Sequence, residues 1–73
     1  MTWRKVNNYE WKNPNITGDL KTAHIIIQVE YIAKGQAFYY VRQYNSRGVL
    51  IDSLAEGTKE KAEESVRRII NKK

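Results

Sequence analysis

Residues 22–54 read TAHIIIQVEYIAKGQAFYYVRQYNSRGVLIDSL, and the fold turns on this stretch. Between Thr22 and Lys34 the odd positions Ala23, Ile25, Ile27, Val29 and Tyr31 are all apolar. The even positions include Thr22, His24, Gln28, Glu30 and Lys34. A period of two over this length is the pattern of a half-buried strand, and the β-branched and aromatic residues suit it. Lys34-Gly35-Gln36 supplies a turn in which Gly35 can take a positive φ. Ala37 to Tyr44 reads as a second strand. Asn45-Ser46-Arg47-Gly48 fits a type I turn with glycine at the left-handed bulge position, so a hairpin follows into a third strand, Val49 to Leu54.

Toward the carboxy terminus, Glu56-Gly57-Thr58 ends the sheet, and Thr58 is a suitable N-cap for a helix running to residue 71. Ala62, Val66, Ile69 and Ile70 form one apolar stripe. Glu63 and Glu64 stand four residues before Arg67 and Arg68, a spacing that adds a few tenths of a kcal/mol per pair. Toward the amino terminus, residues 1–21 are polar and irregular, with turn signals at Asn7-Asn8, Asn13-Pro14-Asn15 and Gly18-Asp19. Trp3, Val6, Tyr9, Trp11 and Ile16 give this segment apolar anchors, so it reads as an ordered flap. The expected fold is therefore α+β, one small domain over residues 1–73. It has an N-terminal flap (1–21), a three-stranded antiparallel meander (22–54) and a C-terminal helix (58–71) packed on one face of the sheet.

At 73 residues the core is thin, with only about 60–65% of the unfolded surface buried on folding. The chain is 41% hydrophobic and 29% charged, too apolar for a disordered protein. Apolar runs such as Ile25-Ile26-Ile27 are far short of a membrane span. The absence of cysteine excludes a disulfide scaffold, a thiolate zinc site and a cysteine nucleophile. The start of the chain has no apolar stretch of the signal-peptide kind, and the expectation is a cytoplasmic protein. On that footing the sequon Asn15-Ile16-Thr17 is a chance match.

One helix covers one face of a sheet, so register decides which residues meet it. A three-residue first turn sets Ala33 opposite Ala37. Ile25, Ile27, Val29, Tyr31, Tyr39, Val41, Val49 and Ile51 then share the helix side. The other side collects His24, Ile26, Gln28, Glu30, Phe38, Tyr40, Arg42, Tyr44, Leu50, Asp52 and Leu54, with Asp52 across from Arg42. Rings interleaved with a guanidinium suit nucleic acid, because rings stack on bases or pack on sugars while arginine pairs with phosphate or base edges. The competing reading is that Trp3, Tyr9 and Trp11 fold over this face and complete a second small core.

Net charge is +5. Residues 1–34 hold five bases and three acids. Residues 35–57 hold Arg42 and Arg47 against Asp52 and Glu56. Residues 58–73 hold six bases and three acids, including Arg67, Arg68, Lys72 and Lys73 at the end. The basic balance favours acidic partners. The helix-end bases read first as a solvated surface. Arg42, Arg47, Arg4 and Lys5 are the ones able to join the aromatic face.

Catalytic patterns are missing. His24 is the single histidine and lacks a carboxylate or second ligand at strand or helix spacing, so no metal and no cofactor is expected. Ser46, Ser53 and Ser65 have no sequence cue linking them to a base. The glycines are dispersed at turns, which excludes a phosphate-cradling glycine loop. The chain reads as a binding module and not an enzyme.

The run Phe38-Tyr39-Tyr40-Val41-Arg42-Gln43-Tyr44-Asn45-Ser46-Arg47-Gly48, then Ile51-Asp52-Ser53, then Thr58-Lys59-Glu60-Lys61-Ala62-Glu63 resembles the arm-type DNA-binding domain of tyrosine recombinases over roughly residues 37–70. Those domains, and the similar ethylene-response domains of plants, are three-stranded sheets backed by a C-terminal helix that insert the sheet into the major groove. The resemblance implies that Tyr40, Arg42 and Tyr44 contact DNA and that Arg47 reaches phosphate. The expected function is duplex DNA binding through Phe38, Tyr40, Arg42 and Tyr44, with Arg47, Arg4 and Lys5 as basic flanks. The alternative is a protein-interaction or inhibitor module of phage or mobile-element type on the same face, since tyrosine and arginine favour hot spots. A homodimer through an edge strand is a further possibility.

Overall fold

The computed structural model describes residues 3–71. It is α+β, an antiparallel sheet with one C-terminal helix, but the sheet has five strands and not three. In chain order these are β1 (Arg4–Asn7), β2 (Glu10–Lys12), β3 (His24–Ala33), β4 (Gln36–Tyr44) and β5 (Leu50–Glu56), followed by α1 (Lys59–Asn71). Each strand pairs with its sequence neighbours, so the sheet is a continuous meander from β1 to β5.

Two stretches of the expected flap, Arg4–Asn7 and Glu10–Lys12, are thus strands of the sheet. Asn7 closes the β1–β2 turn by accepting the Tyr9 N–H at its Oδ1, 2.8 Å away, which is the local bond that favours asparagine in turns. β2 then pairs with the start of β3, Trp11 opposite Ile25. Trp11 therefore projects from the same face as Ile25, and both lie in the core with Ile27, Val41, Ala62 and Val66. Trp3 packs against this cluster as well. Neither tryptophan crosses to the opposite face.

The β3–β4 turn is shorter than expected. Ala33 pairs with Gln36 across Lys34-Gly35, and a bulge between Tyr31 and Ala33 then restores the pairing of Tyr31 with Ala37. A two-residue turn plus one bulge has the same parity as a three-residue turn. Ile25, Ile27, Val29, Tyr39 and Val41 accordingly share the helix side as expected, while Tyr31 lies beyond the helix and is exposed. Gly35 has φ +75° and Gly48 φ +82°, the left-handed conformations their turns need.

The β4–β5 hairpin starts in the expected register, with Tyr44 opposite Leu50, and then loses it. A bulge at Ile51 shifts the pairing, so Gln43 faces Asp52, Arg42 faces Ser53 and Val41 faces Leu54. Asp52 and Leu54 therefore turn to the helix side, and the expected Asp52–Arg42 pair does not form. The Asp52 carboxylate instead accepts the Ser53 N–H at 2.8 Å.

Helix α1 starts at Thr58, whose hydroxyl accepts the Lys61 N–H at 3.1 Å. Ala62 and Val66 are buried against the sheet, and Ile69 and Ile70 pack beside them. Ser65 is also buried. Its hydroxyl donates to Glu56 at 2.8 Å and accepts from Arg68 at 3.1 Å, fixing the helix to the end of β5. The expected Glu64–Arg68 pair forms at 3.8 Å, whereas Glu63 and Arg67 make no such contact. No described helix is long and apolar enough to cross a membrane.

Candidate nucleic-acid interface

The face opposite α1 is built in rows, because residues paired across an antiparallel sheet project on the same side. The first row runs across all five strands: Arg4, Lys12, His24, Tyr44 and Leu50. The second is Glu10, Ile26, Arg42 and Ser53; the third is Gln28, Tyr40 and Ala55; the fourth is Glu30 and Phe38. No described element packs over these rows, and the tryptophans that could have done so are committed to the core.

Strand alternation places Phe38, Tyr40, Arg42 and Tyr44 along β4 on this face. The Phe38 and Tyr40 rings are 6.5 Å apart, centroid to centroid. The Arg42 guanidinium lies 6.0 Å from the Tyr40 ring, within cation–π range. Tyr44 stands 5.7 Å from the His24 ring in the neighbouring strand. Among the described residues Arg42 has no ion-pair partner, and its Nε is buried without a hydrogen-bond partner. A buried donor left unpaired costs about 1–3 kcal/mol, so this nitrogen favours any acceptor that can reach it.

Of the expected basic flanks, one lies on the other face and one is held in an ion pair. Lys5 pairs with Trp11 and so projects to the helix side, its ammonium 5.8 Å from the indole. Arg47 sits in the β4–β5 turn, where it pairs with Asp19 at 2.9 Å. Arg4 is on the expected face, in the first row. Lys12 joins it there, a base whose orientation required the β2–β3 register. Lys72 and Lys73 lie outside the described residues.

His24 does have a carboxylate neighbour. Its Nε2 is 2.6 Å from Glu10, a partner 14 residues away that becomes adjacent only when β2 pairs with β3. This contact is the main reason the Glu10 carboxyl is held below its ordinary value; the charges of His24 and Lys12 and a bond from Asn7 act the same way, and desolvation opposes them. Among the described residues no group of three or more His, Asp or Glu side chains is placed to hold a metal ion.

The width of the sheet matters for what it can enter. Strands are about 4.8 Å apart, so five span about 19 Å, while the major groove of B-DNA is about 12 Å wide. β2 pairs only with His24 to Ile26. Beyond Ile26 the sheet narrows to β3, β4 and β5, and past Val29 to the β3–β4 ribbon alone. The narrow half carries Gln28, Glu30, Phe38 and Tyr40, with Arg42 at its base.

The chain matches no model of a known protein family, no curated protein and no solved structure.

Proposed function

We infer that the protein is a non-enzymatic nucleic-acid-binding module that takes duplex DNA on the face opposite its helix. The observation that carries the reading is Arg42, whose buried Nε has no partner among the described residues, set beside the Tyr40 ring on a face that no described element covers. In this reading the β3–β4 ribbon enters the major groove, where a two-stranded ribbon fits. Arg42 donates to a guanine edge or a phosphate, Tyr40 and Phe38 pack on sugars and thymine methyls, and Gln28 and Glu30 meet adenine and cytosine edges. Arg4 and Lys12, on the wide half, flank the groove as cations. The resemblance to the recombinase arm domain points the same way for Tyr40, Arg42 and Tyr44.

The test is fluorescence anisotropy with labelled duplexes at roughly 50 and 200 mM salt, the range over which phosphate contacts are lost. Binding should weaken with salt, and Arg42→Ala should cost about tenfold or more, the worth of a base or phosphate contact to arginine. Binding indifferent to salt, or unchanged in Arg42→Ala, defeats the reading. The exposed Phe38 and Leu50 at the two ends of the face favour a protein partner as the second reading. Recovery of one stoichiometric partner from nuclease-treated lysate, abolished by Phe38→Ala, would place that reading first.

A further inference from the structure

At the wide end of the sheet a cleft of about 640 Å³ opens between the first row of the exposed face, the turn after β2 and the β4–β5 turn. Its lining includes Arg4, Lys12, His24 and Arg47 and contains no acidic residue. Arg47 is paired with Asp19 at 2.9 Å and His24 with Glu10 at 2.6 Å. Arg4 and Lys12 have no acidic partner among the described ion pairs. The volume lies within the range of small-ligand sites.

A second observation concerns Asn13, which also lines the cleft. Asn13 is completely buried. Its backbone N–H donates to the Ala23 carbonyl at 2.9 Å, its carbonyl accepts from Ile16 at 3.3 Å, and its Oδ1 accepts the Asn15 N–H at 3.0 Å. Its Nδ2 alone is buried with no partner among the described residues. An unpartnered amide donor on a residue that lines a cleft with a cationic rim can be satisfied by an oxyanion. A side-chain donor buried without an acceptor is costly, and a bond to a charged oxygen is about twice as strong as a neutral one.

We propose that this cleft is an oxyanion site for a phosphate group, held by the Asn13 amide and by Arg4, Lys12 and Arg47. The site stands on its own residues and goes beyond the duplex reading. Two sources share the chemistry: a phosphodiester of a nucleic acid lying on the adjoining rows, or a free phosphate monoester.

The experiment follows the side-chain amide of Asn13 and the backbone amide of Gly48 by NMR on the isotope-labelled full chain, during titration with inorganic phosphate at constant ionic strength. Saturable shifts at both positions are expected, with at least a tenfold weaker midpoint in the surface variant R4Q/K12Q. Equal shifts from chloride, linear shifts without saturation, or an unchanged midpoint in R4Q/K12Q overturn the site. Titration with a short duplex then separates the sources. If the same resonances respond to duplex in the wild type and not in Arg42→Ala, the occupant is a backbone phosphate; if they respond to phosphate and to a mononucleotide but not to duplex, it is a free monoester. Either result supports the site. The second one, with no duplex binding by anisotropy, removes the DNA reading while leaving the site intact.

Discussion

Ile25 and Ile26 are chain neighbours that project from opposite faces of the sheet, and truncating each in turn measures how differently the two faces are covered. Ile25 is fully buried beneath α1, beside Val41 and Val66. Ile25→Ala removes three carbons, about 2.4 kcal/mol of transfer free energy at about 0.8 kcal/mol each. The enclosing helix prevents full collapse of the hole, which brings the cost to about 3–4 kcal/mol. A domain of this size holds roughly 4–11 kcal/mol in total, so the variant is left near the edge of folding. Its melting temperature should fall by roughly 12–30 °C. Ile26 is only partly buried, by its row neighbours Arg42 and Glu10, on a face open to water. Ile26→Ala leaves no enclosed cavity, and its cost should be about 1 kcal/mol, the scale of strand preference itself. Urea unfolding of both variants at several protein concentrations provides the comparison, with the m-value checked for constancy. Similar losses for both residues would mean that Ile26 is sealed as thoroughly as Ile25, by a second copy or another cover, and the open-face argument would fall.

Three other outcomes follow from named contacts. The Glu10 carboxyl is held below its ordinary value of 4.5 chiefly by His24. A depressed carboxyl contributes stability that is fully present above the unfolded pKa and is lost as pH falls through the folded one. Thermal melts below pH 4.5 should therefore show a shallower acid limb in Glu10→Gln than in the wild type, and superimposable limbs would refute the pairing. Asn45 is buried, accepts the N–H groups of Arg47 and Val49 at 2.9 and 3.0 Å, and donates to the Asp19 carbonyl at 3.1 Å. Asn45→Ala should cost about 2 kcal/mol in urea unfolding and loosen the loop around Asp19, seen as faster amide exchange there; a loss under about 0.5 kcal/mol contradicts that role. Thr58→Ala should cost about 1 kcal/mol, with Thr58→Ser restoring most of it, because the hydroxyl is the cap; no recovery by serine would show that the methyl matters instead.

The parts of the fold legible in the sequence are those with enough residues to show a period. β3 and β4 have ten and nine residues, and their alternation is unbroken where it counts. β1 and β2 have four and three. Glu10-Trp11-Lys12 contains one apolar residue, so no pattern distinguishes a strand from a loop that happens to hold a tryptophan. The bulges were equally silent. The one near Ile32 cancels the shorter turn and leaves the faces as expected, while the one at Ile51 reverses Asp52 and Leu54. Val49-Leu50-Ile51 is a run of three apolar residues with no internal phase, and such a run allows a register change without exposing a misplaced charge. The stripe on β4 was readable because it lies within one strand. The His24–Glu10 contact, the orientation of Lys12 against Lys5 and the orphaned amide of Asn13 depend on pairings between distant segments, which local spacing does not encode.

The open face follows from how few layers 73 residues can supply. α1 has 13 residues, about 20 Å of helix some 10 Å across, and the five strands together are about 19 Å wide. Such a helix covers β4 and β5 well and relies on Trp11 and Trp3 to close the core beyond its flank. Once both tryptophans serve the helix side, no described segment remains for the other. A face left open to water favours side chains with polar tips, and this one carries tyrosines, an arginine and a histidine paired to a glutamate. Arg42 sits between Ile26 and Ser53 along its row and Tyr40 and Tyr44 along its strand, close enough for its Nε to be dry. The cost of stripping water from that nitrogen is incurred when the chain folds and not when a partner arrives, so an acceptor delivered to it gains a hydrogen bond whose desolvation on the protein side is already complete.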